Sequence, residues 1–171
     1  MAPVSLYLAR HAEAVPVGGS IARDADRPLS AKGESDAAAM ARVISRLDRK
    51  IAVVLTSPLV RAVRTGEIFC SALGGEVERR VSENLAPGFR HKDLLSELRA
   101  LSTDGGLVAV GHQPDLSEFL CFLIAGSSRA ESAMAAGAVA KITFNHADEG
   151  VPATLRWLLT PESVRGTNPR E

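Results

Sequence analysis

Three short apolar runs, VSLYLA at residues 4–9, IAVVL at 51–55 and LVAV at 107–110, alternate along this chain with segments of helical period. A strand buried on both faces reads as a continuous apolar run, and alternation of such runs with helices builds layers around a largely parallel sheet. A weaker strand is expected at 77–81. Two late runs, 138–144 and 154–159, flank the turn Asp148-Glu149-Gly150 and read as an antiparallel pair. The expected fold is a three-layer α/β/α sandwich around a mostly parallel sheet of about six strands, one late strand antiparallel. At 171 residues the chain fits one domain, taken as residues 1–160, with a loose polar tail from Pro161 to Glu171.

Punctuation sets the helices. Ser30 is a candidate N-cap for a helix carrying Ala37, Met40, Ala41, Ile44 and Leu47. Ser57-Pro58 pairs an N-cap residue with proline at the first helical position, which predicts a helix from there to Gly74-Gly75. Its apolar face is Leu59, Ala62, Val63, Gly66, Phe69, Cys70 and Leu73, with Arg61 and Arg64 in the first two turns. A leucine-rich helix follows at 94–101, closed by the turn Asp104-Gly105-Gly106. The last helix opens at about Pro114, with Leu116, Phe119, Leu120 and Leu123 inward.

Three strands that read as central end in residues that core packing does not require: Arg10-His11, Thr56-Ser57 with Arg61 a turn beyond, and His112. Ligands of open α/β sheets bind at the carboxyl ends of the strands, so these positions point to one crevice. A single histidine after a strand is ordinarily a hydrogen-bonded structural residue; the joint pattern carries the argument. Guanidinium forks and helix N-termini near Pro58 and Pro114 suit a phosphate-like anion. Neutral imidazole is a competent nucleophile, and neighbouring arginines keep it neutral. Phosphoryl transfer needs chiefly positioning and charge stabilisation, which Arg10, Arg61 and a protonated or N–H-donating His112 can supply. Metal catalysis is the competing reading of a two-histidine site. Carboxylates and cysteines at ligand spacing are missing and guanidiniums repel a cation, so neither metal nor cofactor is expected. No Gly-rich nucleotide-binding loop is present.

Charge and composition narrow the partners. The 20 basic and 20 acidic side chains cancel and only 4% of residues are aromatic, which argues against nucleic acid. No apolar run suggests a membrane span, and the start Met-Ala-Pro-Val-Ser lacks the features of a secretory signal, so a cytoplasmic location is the expectation. Cys70 and Cys121 lie in apolar helical patterns without a C-x-x-C partner and are expected to be buried free thiols.

At these residues the sequence resembles the histidine phosphatase (phosphoglycerate mutase-like) superfamily, and within it the SixA-type phosphohistidine phosphatase branch. The resemblance spans nearly the whole chain. Leu6 to Ala14 (LYLARHAEA) is similar to the family's strand ending in R-H-G, with Ala12 where many members have glycine. Asp26 to Gly33 (DRPLSAKG) resembles the branch's R-P-L-T/S…G segment. Thr56 to Thr65 (TSPLVRAVRT) resembles S-P-L-x-R-A-x-Q-T, with Arg64, expected to face outward, replacing the glutamine. Val110 to Pro114 (VGHQP) matches G-H-x-P. The resemblance implies that His11 is the phosphorylated nucleophile, that Arg10 and Arg61 bind the phosphoryl group, and that His112 completes the pocket. His91 and His146 match no catalytic position and read as loop or surface residues; Arg27 is left without a role.

The resemblance also bears on substrate. Larger members protonate an alcohol leaving group from an inserted loop, and this chain is too short for that insertion. Glu83 is a candidate substitute, although a solvated loop carboxylate is the simpler description. A departing imidazole needs less help than an alkoxide. The expectation is therefore hydrolysis of protein phosphohistidine through a covalent intermediate on His11, with the phosphotransfer domain of a two-component relay as the implied partner. Hydrolysis of small phosphomonoesters and non-catalytic phosphate binding are the alternatives.

Overall fold

Each apolar run forms a strand close to its expected bounds: β1 (Val4–Arg10), β2 (Ile51–Thr56), β3 (Glu78–Val81), β4 (Gly106–Gly111), β5 (Val139–Phe144) and β6 (Thr154–Leu159). The computed structural model describes residues 4–48, 50–74, 76–101, 105–127, 132–144 and 153–165. The turn at 148–150, His146, Gly75 and Asp104 lie outside them. The strands form one sheet in the order β3-β2-β4-β1-β5-β6. β1, β2, β3 and β4 pair in parallel, while β5 is antiparallel to both β1 and β6. One late strand thus opposes the rest, as the sequence predicts.

Helices α1 (Ala31–Leu47), α2 (Val60–Leu73), α3 (His91–Ala100), α4 (Asp115–Ala125) and α5 (Pro161–Arg165) complete the layers. Side chains alternate across the sheet. Leu6 and Leu8 of β1 and Leu107 and Ala109 of β4 pack with leucines of α3 and α4. Tyr7, Ala9, Val108 and Val110 pack on the opposite face with Met40 and Ile44 of α1 and Phe69 of α2. Both faces are covered, which is why the strands read as unbroken apolar runs. Each fully buried leucine contributes about 1.5–3 kcal/mol at most. Among the described residues no helix is long and apolar enough to cross a membrane.

The start of α1 ties the sheet to its helical layer. Ser30 Oγ accepts from Gly33 N at 3.0 Å and donates to Glu13 at 2.7 Å, so the cap also grips the loop after β1. A Cβ at Gly33 would collide with the Glu13 carbonyl. Gly33→Ala is therefore expected to cost about 1–3 kcal/mol, read as a melting temperature several degrees lower. An unchanged transition would show that this loop yields freely.

Two expectations need correction. Helix α2 starts at Val60, not at Ser57-Pro58. Ser57 instead accepts from Leu59 N at 3.3 Å and meets the His112 ring at 2.7 Å, so its hydroxyl serves a turn and a neighbouring strand. The buried face of α2 accordingly includes Arg61 and Thr65 beside Ala62, Gly66 and Phe69. The tail is not loose from Pro161, because 161–165 form a helical turn packed on α1. Thr160 Oγ1 accepts from Ser163 N and Ser163 Oγ from Thr160 N, a reciprocal cap ahead of Pro161, and Arg165 pairs with buried Asp36. Residues 166–171 lie outside the description.

Candidate functional site

Parallel pairing brings the expected site residues to one edge. β1 and β4 are adjacent, with Arg10 opposite Gly111, and β2 lies on the other side of β4. Past the ends of the strands, His11 N donates to Gly111 O at 3.0 Å and Ser57 N to Val110 O at 2.9 Å. His11, Ser57 and His112 therefore leave three neighbouring strands together, and α2 brings Arg61 to them in its first turn. Thr65 fastens the junction: its Oγ1 accepts from Ala12 N at 3.2 Å and donates to Arg61 O at 2.7 Å. Arg10, His11, Arg61 and His112 line one pocket of about 410 Å³.

Hydrogen bonds fix the chemistry of the first imidazole. His11 Nδ1 lies 2.7 Å from the Ala12 carbonyl, which can only accept, so Nδ1 carries the proton. Nε2 is then unprotonated in the neutral ring, and Arg61 Nε donates to it at 3.1 Å. The two imidazoles are 5.0 Å apart between centroids. His112 Nε2 is 2.7 Å from Ser57 Oγ, and its Nδ1 is buried without a hydrogen-bond partner. Arg10 donates from Nη1 to Met134 O at 2.9 Å, while its buried Nε has no partner. Burial also lowers the pKa of the Arg10 guanidinium.

Burial lowers the pKa of His11 to about 4, with the Arg61 and Arg10 charges pushing the same way. Burial likewise lowers His112 to about 3, reinforced by His11 and Arg61. Both rings are neutral near pH 7, so of the two roles left open for His112 the N–H-donating one fits. The sign of the stability effect follows. Unfolded histidines titrate near about 6.5, so the contribution of the buried neutral rings is complete above that pH. It is lost as pH falls toward the folded values of about 4 and about 3. Urea unfolding is thus expected to show lower stability at pH 5 than at pH 7.5, and His11→Ala/His112→Ala should flatten the difference. The same slope in the double variant would contradict the assignment.

Arg27, Asp24 and Glu13 are the other charged residues of the pocket lining. Arg27 is anchored by Nε to Val15 O at 2.7 Å and by Nη2 to Ala14 O at 3.3 Å, while Nη1 donates to Asp24 at 2.9 Å. Asp24 also accepts from Arg61 Nη2 at 2.9 Å, and its backbone oxygen accepts from Arg61 Nη1 at 2.7 Å. Arg27 hydrogen bonding holds the Asp24 carboxyl below its usual pKa, with Arg61 adding to the effect. The one signal in the sequence was local, an acid and an arginine three residues apart.

Other candidates fall elsewhere. Glu83 is exposed on a short 3-10 turn and is not part of the pocket lining. His91 packs against Phe89, Phe119 and Phe122. Arg64 faces outward, paired with Glu34 and Glu67. Cys121 is buried and Cys70 half-buried, both as free thiols. Among the described residues no group of three or more His, Cys, Asp or Glu side chains is placed to hold a metal ion.

An α/β sheet that gathers two neutral imidazoles and three guanidiniums at the carboxyl ends of its strands has the make-up of a site for phosphoryl-type anions. Comparison with known proteins gives the class. Residues 6–86 match the model of the histidine phosphatase superfamily, branch 1. An uncharacterized protein of Picosynechococcus sp. is 38% identical over 118 residues, 68% of this chain and 70% of that one. The chain belongs to the histidine phosphatase superfamily and is a hydrolase of the phosphatase class.

Solved structures agree on the fold. The protein histidine phosphatase SixA complexed with tungstate superposes with a TM-score of 0.83 at 23% identity, covering 94% of this chain and 99% of that one. A candidate phosphohistidine phosphatase SixA from Nakamurella multipartitia gives 0.77 at 26% identity, covering 94% and 98%. A mycobacterial glucosyl-3-phosphoglycerate phosphatase gives 0.69 at 18% identity, covering 91% and 98%.

Proposed function

We propose that this protein hydrolyses phosphohistidine on a partner protein through transient phosphorylation of His11. The observation that carries the reading is the His11 ring: neutral, with Nδ1 held by a carbonyl and Nε2 unprotonated beside Arg61 in the pocket. In the first step Nε2 attacks phosphorus, the substrate's P–N bond breaks, and the departing imidazole takes a proton from water. In the second, water attacks the phosphorus on His11, the P–Nε2 bond breaks, inorganic phosphate leaves, and the proton the water releases neutralises the hydroxide left by the first step, which returns the ring to its starting state. Arg10, Arg61 and the N–H of neutral His112 stabilise charge on the equatorial oxygens. No metal takes part, and added chelator is expected to leave turnover unchanged.

Leaving-group chemistry favours phosphohistidine over an alcohol ester. An alkoxide needs a strong proton donor, whereas the Asp24 carboxyl is held ionised, Glu13 in the pocket lining accepts from Ser30 and pairs with Lys32, and Glu83 lies outside the lining. The likeness to SixA-type structures, one of them named a protein histidine phosphatase, supports the same reading of a phosphorylated protein as substrate. Hydrolysis of small phosphate esters is the second reading, supported by the likeness to a glucosyl-3-phosphoglycerate phosphatase. A panel assay separates them. Turnover of a phosphohistidine protein should exceed that of small esters in kcat/KM, and His11→Ala should abolish both. Preference for esters would overturn the first reading.

A further inference from the structure

The Asp24 carboxylate sits where an anion would be expected to bind. Its two oxygens accept from Arg61 Nη2 and Arg27 Nη1, each at 2.9 Å. Arg61 Nη1 is taken by the Asp24 carbonyl and Arg61 Nε by His11, so every nitrogen of this guanidinium is engaged. A carboxylate spanning two guanidiniums imitates two oxygens of a phosphoryl group. We propose that Asp24 is an internal competitor for the phosphoryl clamp, displaced by substrate and returning when phosphate leaves, and that it sets the affinity of the site for tetrahedral oxyanions. This inference rests on the reading of the pocket as a phosphoryl site.

The surroundings make displacement inexpensive. Asp24 lies on a three-residue 3-10 turn that buries no side chain, and its own side chain is 57% exposed. Arg27 is held independently of it by the Ala14 and Val15 carbonyls, and Arg61 keeps its bonds from Nε to His11 and from Nη1 to the Asp24 main-chain carbonyl. They stay in place when the carboxylate swings out. A dianionic phosphoryl group outcompetes a monoanionic carboxylate for two cations, and the two anions repel each other at such close range. The exchange also assists turnover, because a carboxylate ready to return helps expel product.

The test measures binding of inorganic phosphate and inhibition by vanadate for the wild type, Asp24→Asn, Asp26→Asn and Arg61→Ala. A clamp filled by its own carboxylate about nine-tenths of the time binds roughly tenfold more weakly than a free one. Asp24→Asn is therefore expected to tighten both ligands by about that factor, and to lower KM without raising kcat. Asp26, which pairs with Arg23 on the same turn, controls for net charge, and its substitution should change little. Equal or weaker binding in Asp24→Asn would overturn the proposal, since a residue that merely orients Arg61 loses affinity when removed. Equal tightening in Asp26→Asn would overturn it too, by reducing the effect to distant charge. If the wild type binds neither anion, or binds them as Arg61→Ala does, the phosphoryl-site reading itself fails.

Discussion

Replacing His11 with alanine is expected to lower turnover by about four orders of magnitude or more, the usual scale for loss of a covalent nucleophile. The geometry leaves no evident substitute. His112, the other imidazole in the pocket, has its Nε2 engaged by Ser57 at 2.7 Å, and its unpartnered Nδ1 is the nitrogen left to donate to the phosphoryl group. The fold should survive, because the His11 side chain bonds only the adjacent carbonyl and Arg61 and belongs to neither apolar core. A melting curve within a few degrees of wild type, with turnover gone, is the expected pair of results. Undiminished turnover would remove His11 from the chemistry.

Arg61→Ala is expected to reduce kcat by about 10²–10³-fold, the scale of losing one preorganised donor to a developing oxyanion. It should also reduce stability, which sequence reasoning does not suggest. Arg61 is 5% exposed and makes two bonds to Asp24 and one to His11, so it anchors the Asp24 turn as well as the pocket. Arg61→Lys separates the two roles: charge is kept, but an ammonium cannot reproduce the fork. Its kcat should fall between those of wild type and alanine. Full activity in Arg61→Lys would show that charge alone suffices.

The parts legible in the sequence were those set by local pattern. Continuous apolar runs identified strands covered on both faces, and Ser30 marked the start of α1 because its cap is made within four residues. The meeting of Arg10, His11, Arg61 and His112 was inferable because parallel strands place their carboxyl ends along one edge. What escaped depends on contacts distant in sequence. Asp24 reaches Arg61 across 37 positions, and Ser57 serves a histidine 55 positions away instead of capping a helix. The turn at 161–165 read as tail because its reciprocal cap is short and its docking partner, Asp36, lies on α1.

Covalent transfer to the first imidazole is most directly tested by rapid acid-free quenching of enzyme mixed with a labelled phosphohistidine protein, followed by mapping of the labelled peptide. The expected product is an acid-labile, base-stable phosphoryl group on His11, formed and lost at rates compatible with turnover and absent in His11→Ala. Label on Ser57 or His112, or full turnover with no phosphoenzyme at any time, would contradict the account.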